Sequence, residues 1–305
     1  MHTALVAILA VLLDRLLGEP RHAHPLVGFG RVATAVEARL SRTVHSSLRQ
    51  RVHGLLAVAV LLLPLTLLCV FAVRVPAVGT TIEVVVLYLA LGGQSLTEHA
   101  RRVAQSLYTN DLAQARQRVS GMVSRDTGAM RREDVTRATV ESVLENGNDA
   151  VFGALFWFAV TGAPGAVLYR LANTLDAMWG YRTPRYLHFG WAAARFDDLM
   201  NFFPARLTAL TYAVLGKFAC AWRCWRTQGR LWESPNAGPV MAAGAGALGV
   251  QLGGPASYHG AIKQRPSLGE GMSPATADIE RALALVQRGT WLWVAAIAAG
   301  TWWLT

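Results

Sequence analysis

From Gly54 to Val73 the chain runs for 20 residues without a single charge, with Arg49 and Arg51 before it and Arg74 after it. A segment of that length and apolarity matches the hydrocarbon thickness of a bilayer, because a membrane helix takes roughly 20 residues. Pro64 is tolerable inside it as a kink, since neighbouring helices can satisfy the freed backbone groups. A soluble fold would have to bury all of this surface.

The remainder of the 305 residues agrees with that constraint: 53% are hydrophobic and only 16% charged, and the mean hydropathy is +0.30. We expect an all-α fold: a polytopic helical integral membrane protein with about five to eight membrane-embedded segments, some of them half-helices or re-entrant. Residues 1–305 then form a single membrane-embedded catalytic domain that includes a cytosolic helical loop at about residues 94–150. The apolar run from Ala4 to Leu13 lacks a preceding Arg or Lys and is followed at once by Asp14-Arg15, which argues against a cleaved signal peptide.

The net charge of +10 comes from 27 arginines and two lysines, Lys217 and Lys263. They are scattered between apolar segments rather than gathered on one stripe, as expected for loops beside anionic lipid and not for a nucleic-acid surface. Seven arginines between Arg15 and Arg51, against one between Arg74 and Thr81, place that first loop in the cytoplasm. The protein is therefore expected in the cell inner membrane, multi-pass, with its active face cytoplasmic. Ile82 to Gly93 returns the chain to that side, and Leu96, Val103, Leu107, Leu112 and Val119 recur at helical intervals beyond it.

Val151 to Leu171 is interrupted by Gly162-Ala163-Pro164-Gly165, and a single crossing would put Arg170, Arg182, Arg185, Arg195 and Arg206 outside. Two half-helices hinged at that turn fit the charge rule better. Further apolar segments are Leu207 to Trp222, interrupted by Lys217; Ala237 to Leu252; and Trp291 to Leu304, with tryptophans near both ends. Cys69, Cys220 and Cys224 read as free thiols, with no Cys or His nearby to complete a zinc set. Gly244-Ala245-Gly246-Ala247-Leu248-Gly249 matches a dinucleotide pattern but lacks a preceding strand, so small residues at Ala245, Gly249 and Gly253 are better read as close helix packing.

Against this background three polar clusters stand out. The largest runs from Ser124 to Asp149. On its expected helix Arg137, Glu141 and Glu145 share one face, with Asn148 near the end. A solvated Arg-Glu face would look the same, but the run enters the membrane directly after Asp149. Asn173 and Asp176, and likewise Asp198 and Asn201, fit one helix turn each and can offer oxygen ligands to magnesium, which takes one or two carboxylates beside phosphate. Helix capping by Asn173 or Asp197 is the rival reading. Arg125, Arg195 and Arg206 can clamp phosphate or carboxylate, although an arginine beside a membrane more often meets lipid headgroups. His22 and His24 near Glu19 are read as an interfacial loop rather than a metal site.

Together these clusters resemble the adenosylcobinamide-phosphate synthase family, the membrane CobD/CbiB proteins of cobalamin biosynthesis. The matching stretches are Leu13-Asp14-Arg15-Leu16-Leu17-Gly18-Glu19-Pro20 with His24-Pro25, Ser124-Arg125-Asp126-Thr127, Glu141-Ser142 with Glu145-Asn146, and Asn173 through Tyr181. Asp197-Asp198-Leu199-Met200-Asn201 with Pro204-Ala205-Arg206, and Ser234 through Gly238, complete the set in family order. Departures are Asn148-Asp149-Ala150 where the family usually reads Ser-Asp-Gly, Ala154 for a common proline, and Ala177 for the usual serine; all keep the charged groups.

The resemblance implies an ATP-dependent amide ligation, in which adenosylcobyric acid, a corrinoid, is joined to aminopropanol or its phosphate. It implies ATP and Mg2+ as co-substrate and metal. Glu141, Glu145 and Asp149 are then the expected catalytic carboxylates; Arg125, Asp126, Asn146, Asn173, Arg195, Asn201, Arg206 and Asn236 the substrate- and phosphate-binding residues; and Asp176, Asp197 and Asp198 the metal ligands. Expected partners are those substrates and membrane lipid, without nucleic acid, and a homo-oligomer is compatible. Two other classes compete: a membrane prenyl- or phospho-transferase using Asp197-Asp198-x-x-Asn201 as an aspartate-rich magnesium motif, and a non-catalytic membrane sensor or transporter.

Overall fold

The computed structural model describes residues 1–20, 24–41, 46–258 and 260–303. The expectations for His22, Arg21, Arg42 and Leu304 lie outside these residues. The chain folds into two compact units, one of Met1–Gly92, Gly153–Asn201 and Val294–Thr305, the other of Gly93–Phe152 and Phe202–Trp293. Almost all regular structure is helical, as expected.

In the first unit, α1 (His2–Leu17), α2 (Pro25–Leu40), α3 (Ser47–Ala72) and α4 (Gly79–Ala90) precede a helical hairpin of α8 (Gly153–Thr161) and α9 (Ala163–Trp179). The chain turns between the last two at Gly162, which adopts a left-handed φ of 72° with Pro164 just inside the following helix. The hinge expected from Gly162-Ala163-Pro164-Gly165 is thus where the structure has it. The core joins α2, α3 and α9 through Phe29, Ala33, Leu61, Leu62, Leu175 and Trp179. Pro64 is accommodated within α3. Along α3, Leu55, Leu56, Val60, Leu63, Leu67, Leu68 and Phe71 remain exposed, the surface a bilayer would cover.

Residues 15–51, read from their arginines as a loop, in fact contain the 16-residue α2. Its buried stripe of Phe29, Ala33 and Glu37 repeats every fourth position, the period of a helix facing a core. Glu37 accepts hydrogen bonds from Trp179 Nε1 at 3.2 Å and Arg185 Nε at 2.8 Å, which offsets its burial. His24, whose ring accepts from the Leu26 amide at 3.1 Å, caps the start of α2.

The second unit contains α5 (Gly93–Tyr108), α6 (Leu112–Ser120), α7 (Arg132–Gly147), α11 (Phe218–Gln228) and α12 (Ala237–Leu248). Helix α10 (Trp191–Leu215) and helix α13 (Ala277–Trp303) each contribute residues to both units. Every residue of α12 is buried. A Cβ on Gly244 would lie 2.7 Å from the Leu144 side chain, and one on Gly246 2.7 Å from the Ala221 backbone. Close helix packing therefore runs through Gly244 and Gly246, whereas Ala245, Gly249 and Gly253, though also tightly packed, do not share a helix: it ends at Leu248, Gly249 is its left-handed cap at φ 70°, and Gly253 lies in a strand.

That strand belongs to two short antiparallel pairs with no counterpart in the sequence expectations. Strand β1 (Leu252–Gly253) pairs with β4 (Ser267–Leu268), and β2 (Ala256–Tyr258) pairs with β3 (Ala261–Lys263). Among the described residues three helices are long and apolar enough to cross a membrane: Ser47–Ala72, Gly79–Tyr108 counted through the break at Leu91-Gly92, and Ala277–Trp303. The protein is a polytopic helical membrane protein.

Candidate active site

In the second unit the polar block begins as a loop, residues 121–131, and continues into α7. Asp134 starts that helix by accepting the Arg131 amide at 3.0 Å. Most of α7 is buried, and Glu141 at its middle is only 1% exposed. A buried carboxylate is costly unless paired and hydrogen-bonded. Glu141 is both: the Gly253 amide donates to Oε1 at 2.7 Å, Arg265 donates to Oε2 at 3.0 Å and to Oε1 at 3.3 Å, and Arg125 donates to Oε2.

Glu141 thus shares its single negative charge between two guanidinium groups. Burial works against the Arg125 charge, and Glu141 and Tyr258 more than restore it, so the group stays protonated. A cavity of about 150 Å³ opens beside this pair, with Arg125, Arg137 and Arg265 in its wall together with Asp126, Asp134 and Ser257. Its donor chemistry fits a phosphate-sized anion. Arg137, expected to face Glu141, instead pairs with Asp134 at 3.3 Å.

One turn beyond Glu141, burial pushes the Glu145 carboxyl up to about 7, reinforced by the charges of Asp149 and Glu141 and opposed by Arg125 and Arg265. Part of its side chain still reaches accessible surface. It is a carboxyl held near the midpoint of its titration at neutral pH, within electrostatic reach of Arg125 and Arg265, two of the arginines that wall the cavity. The helix then widens into a π-helical turn, Asn148–Phe152, a distortion often found at functional sites. Within it Asn148 donates to Asp149 at 2.9 Å and accepts from Thr208 at 2.9 Å, which fixes the Asp149 carboxylate.

Other expected site residues have local duties. Asn146 donates to the Ser142 carbonyl at 2.9 Å. Asp126 accepts from Ser257 Oγ at 2.7 Å and the Gly260 amide at 2.8 Å, so it holds the β2–β3 turn. Arg206 donates to Asn236 and to the carbonyls of Phe202 at 2.9 Å and Pro235 at 3.0 Å, tying α10 to the approach of α12.

In the first unit, Asp197 on α10 is 9% exposed and receives Asn173 of α9 at 3.3 Å on Oδ1 and Asn201 at 3.1 Å on Oδ2. Tyr169 donates to Asn201 at 2.9 Å. Asn173 and Asp197 both lie inside helices, so neither is a cap. Asp198 turns away to Arg195, 3.4 Å distant, and Asp176 packs against the Gly180 turn. The three aspartates expected to ligate metal are therefore not gathered on one point. Among the described residues the set of three ligand atoms within 4.8 Å is Cys220, Cys224 and Glu270 instead, and Glu270 is already paired with Arg223 at 2.5 Å.

Sequence reasoning missed Arg265, Gly253 and Ser257. Gly253-Gly254-Pro255 and Pro266 are turn signals that bracket a compact loop, but nothing local aims Arg265 at Glu141.

Comparison with known proteins agrees with the resemblance. The family described as "CobD/Cbib protein" matches residues 7–286. A "Cobalamin biosynthesis protein CobD" of Chromobacterium violaceum is 60% identical over 97% of this chain and 96% of its own length. One from Stutzerimonas stutzeri is 57% identical over 99% of both chains, and one from Mycobacterium tuberculosis 41% identical over 92% of this chain and 90% of its own. No solved structure matches the chain. Helical membrane architecture, the ordered polar clusters and near-complete coverage by these relatives converge: the chain belongs to the CobD/CbiB family of cobalamin biosynthesis proteins.

Proposed function

We propose that this protein is an adenosylcobinamide-phosphate synthase, an amide-forming ligase that joins the carboxylate of adenosylcobyric acid to the amine of aminopropanol or aminopropanol phosphate. The observation that carries this reading is the pairing of an arginine-walled cavity with a carboxyl titrating at about 7. A carboxylate is a poor acyl donor; ATP would transfer its terminal phosphoryl group to it, releasing ADP, and attack of the amine on the resulting acyl phosphate would form the C–N bond and expel inorganic phosphate. Arg125, Arg137 and Arg265 offset phosphate charge, whether on the nucleotide or on the amine substrate.

An alkylammonium is not nucleophilic until it loses a proton. Glu145 takes that proton, because a carboxylate with a pKa near 7 is both present in its basic form and strong enough to accept it. Glu141 is committed to Arg125, Arg265 and Gly253, so its role is to position those arginines. Asp149 raises the basicity of Glu145 through its charge.

Magnesium keeps much of its water and takes one or two carboxylates. Of the three expected ligands Asp198, whose side chain is 30% exposed, is the better single candidate, since both oxygens of Asp197 are taken by Asn173 and Asn201 and Asp176 packs against the Gly180 turn. The reaction would take place on the cytoplasmic face of the inner membrane, where ATP and corrinoid are found.

The test is a purified full-length protein in detergent, supplied with adenosylcobyric acid, ATP, Mg2+ and each amine in turn. Amide product with concomitant ATP consumption is expected. Folded protein that consumes the corrinoid with neither amine would sink the proposal in favour of a sensor or transporter, and full function of Glu145→Ala in a strain blocked at cobyric acid would remove Glu145 from the role of base.

A further inference from the structure

A second cavity, about 680 Å³, lies within the first unit among α2, α3, α4 and α9. Its size falls in the usual range of ligand sites, roughly 300–1,000 Å³. Its lining is almost wholly apolar, and Val32, Val60, Leu65 and Leu68 along it are exposed. Since α3 is long and apolar enough to cross the membrane, its exposed Val60, Leu65 and Leu68 face the side where acyl chains would lie.

Two side chains with polar groups, His24 and Arg170, interrupt the lining. His24 is already committed: its Nδ1 accepts from the Leu26 amide, and its Nε2 lies 3.8 Å from Glu19. Arg170 is not. Its Nε is buried without a hydrogen-bond partner, and among the described residues no carboxylate forms an ion pair with it. A guanidinium beside apolar walls is costly unless an anion compensates it.

We propose that this cavity holds an anionic phospholipid of the surrounding membrane, with an acyl chain along the α2–α3 wall and its phosphate on Arg170. Charge complementarity selects the headgroup, because a guanidinium binds phosphate through parallel hydrogen bonds and gains nothing from a net-neutral choline lipid whose phosphate is already balanced. Lateral exposure of Val60, Leu65 and Leu68 selects the tail. The site uses none of the residues proposed for ligation.

The experiment is native mass spectrometry of the purified full-length protein, delipidated and then offered phosphatidylglycerol or phosphatidylcholine. Wild type should retain phosphatidylglycerol with a preference of about tenfold, the effect expected of one charge-assisted contact. Arg170→Gln should abolish that preference and Arg170→Lys keep most of it. Leu68→Trp, which narrows the cavity while leaving the guanidinium in place, should reduce phosphatidylglycerol retention, and it decides the matter if Arg170→Gln does not fold. Equal retention of the two lipids by wild type, an unchanged preference in Arg170→Gln, or undiminished binding by Leu68→Trp would overturn the proposal. Displacement of the bound lipid by adenosylcobyric acid would assign the cavity to substrate and overturn it too.

Discussion

Arg265 and Glu141 stand 124 residues apart in sequence, yet they meet through two hydrogen bonds in the interior, where they are 6% and 1% exposed. Arg125 completes the trio, so each charge depends on the other two. Removing one member of a buried pair leaves an uncompensated charge and costs about 3–5 kcal/mol. Arg265→Ala should therefore lower thermal stability in detergent by that order and reduce activity with it. Glu141→Gln should also destabilise, by setting two guanidinium groups against each other, and differential scanning fluorimetry of the two variants would measure both losses.

Glu145 gives a pH signature. Its carboxyl titrates at about 7 when folded and near 4.5 when unfolded, because burial and the Asp149 and Glu141 charges disfavour ionisation. Between those values the folded protein binds more proton than the unfolded chain. The stabilisation attached to that proton is present below about pH 4.5 and is lost as pH rises through about 7. Activity should move the other way, rising as Glu145 ionises and levelling off above pH 7. Glu145→Gln should remove both the pH-dependent part of stability and about 10²- to 10⁴-fold of the rate. Matched rate and melting profiles in Glu145→Gln and wild type would contradict the assignment.

Most of this architecture is legible in sequence where the signal is local. The chargeless run of α3 and the Pro-Gly hinge between α8 and α9 announce themselves over a few residues, and so does the carboxylate face of α7. Helix α2 was hidden by charge: its arginines read as a loop, although Phe29, Ala33 and Glu37 carry the helical period. The partners of Glu141 were hidden by distance. Strands of two or three residues are too short to alternate, so no pattern marks β1 to β4 or the arginine they deliver. The expected metal trio failed to gather because Asp197 and Asp198, adjacent on one helix, necessarily point in different directions.

Packing within the first unit is tight enough to test with a single methyl group. A Cβ on Gly54 of α3 would fall 2.0 Å from the Phe189 carbonyl oxygen, a backbone atom that cannot step aside. Gly54→Ala should therefore destabilise by about 1–3 kcal/mol, as overpacking does. Gly300 in α13 has nothing within 4 Å of its would-be Cβ, so Gly300→Ala should be neutral or stabilise by up to about 1 kcal/mol through helix propensity. Thermal unfolding of the two variants in the same detergent gives opposite signs.

The neighbours Asp197 and Asp198 should separate structure from chemistry. Asp197 accepts two amide donors, Asn173 and Asn201, inside the protein. Asp197→Asn turns one acceptor oxygen into a third amide facing those donors, so it should cost about 1–3 kcal/mol of stability whatever the metal concentration. Asp198 is more exposed, and its ion pair with the exposed Arg195 contributes little, so Asp198→Asn should leave the melting temperature nearly unchanged. If Asp198 holds magnesium, the same variant should need more Mg2+ for half-maximal rate. A magnesium titration of product formation in both variants distinguishes the roles: an Asp198→Asn enzyme with unaltered magnesium dependence would remove this residue from the metal set, since its carboxylate would then be merely a partner of Arg195.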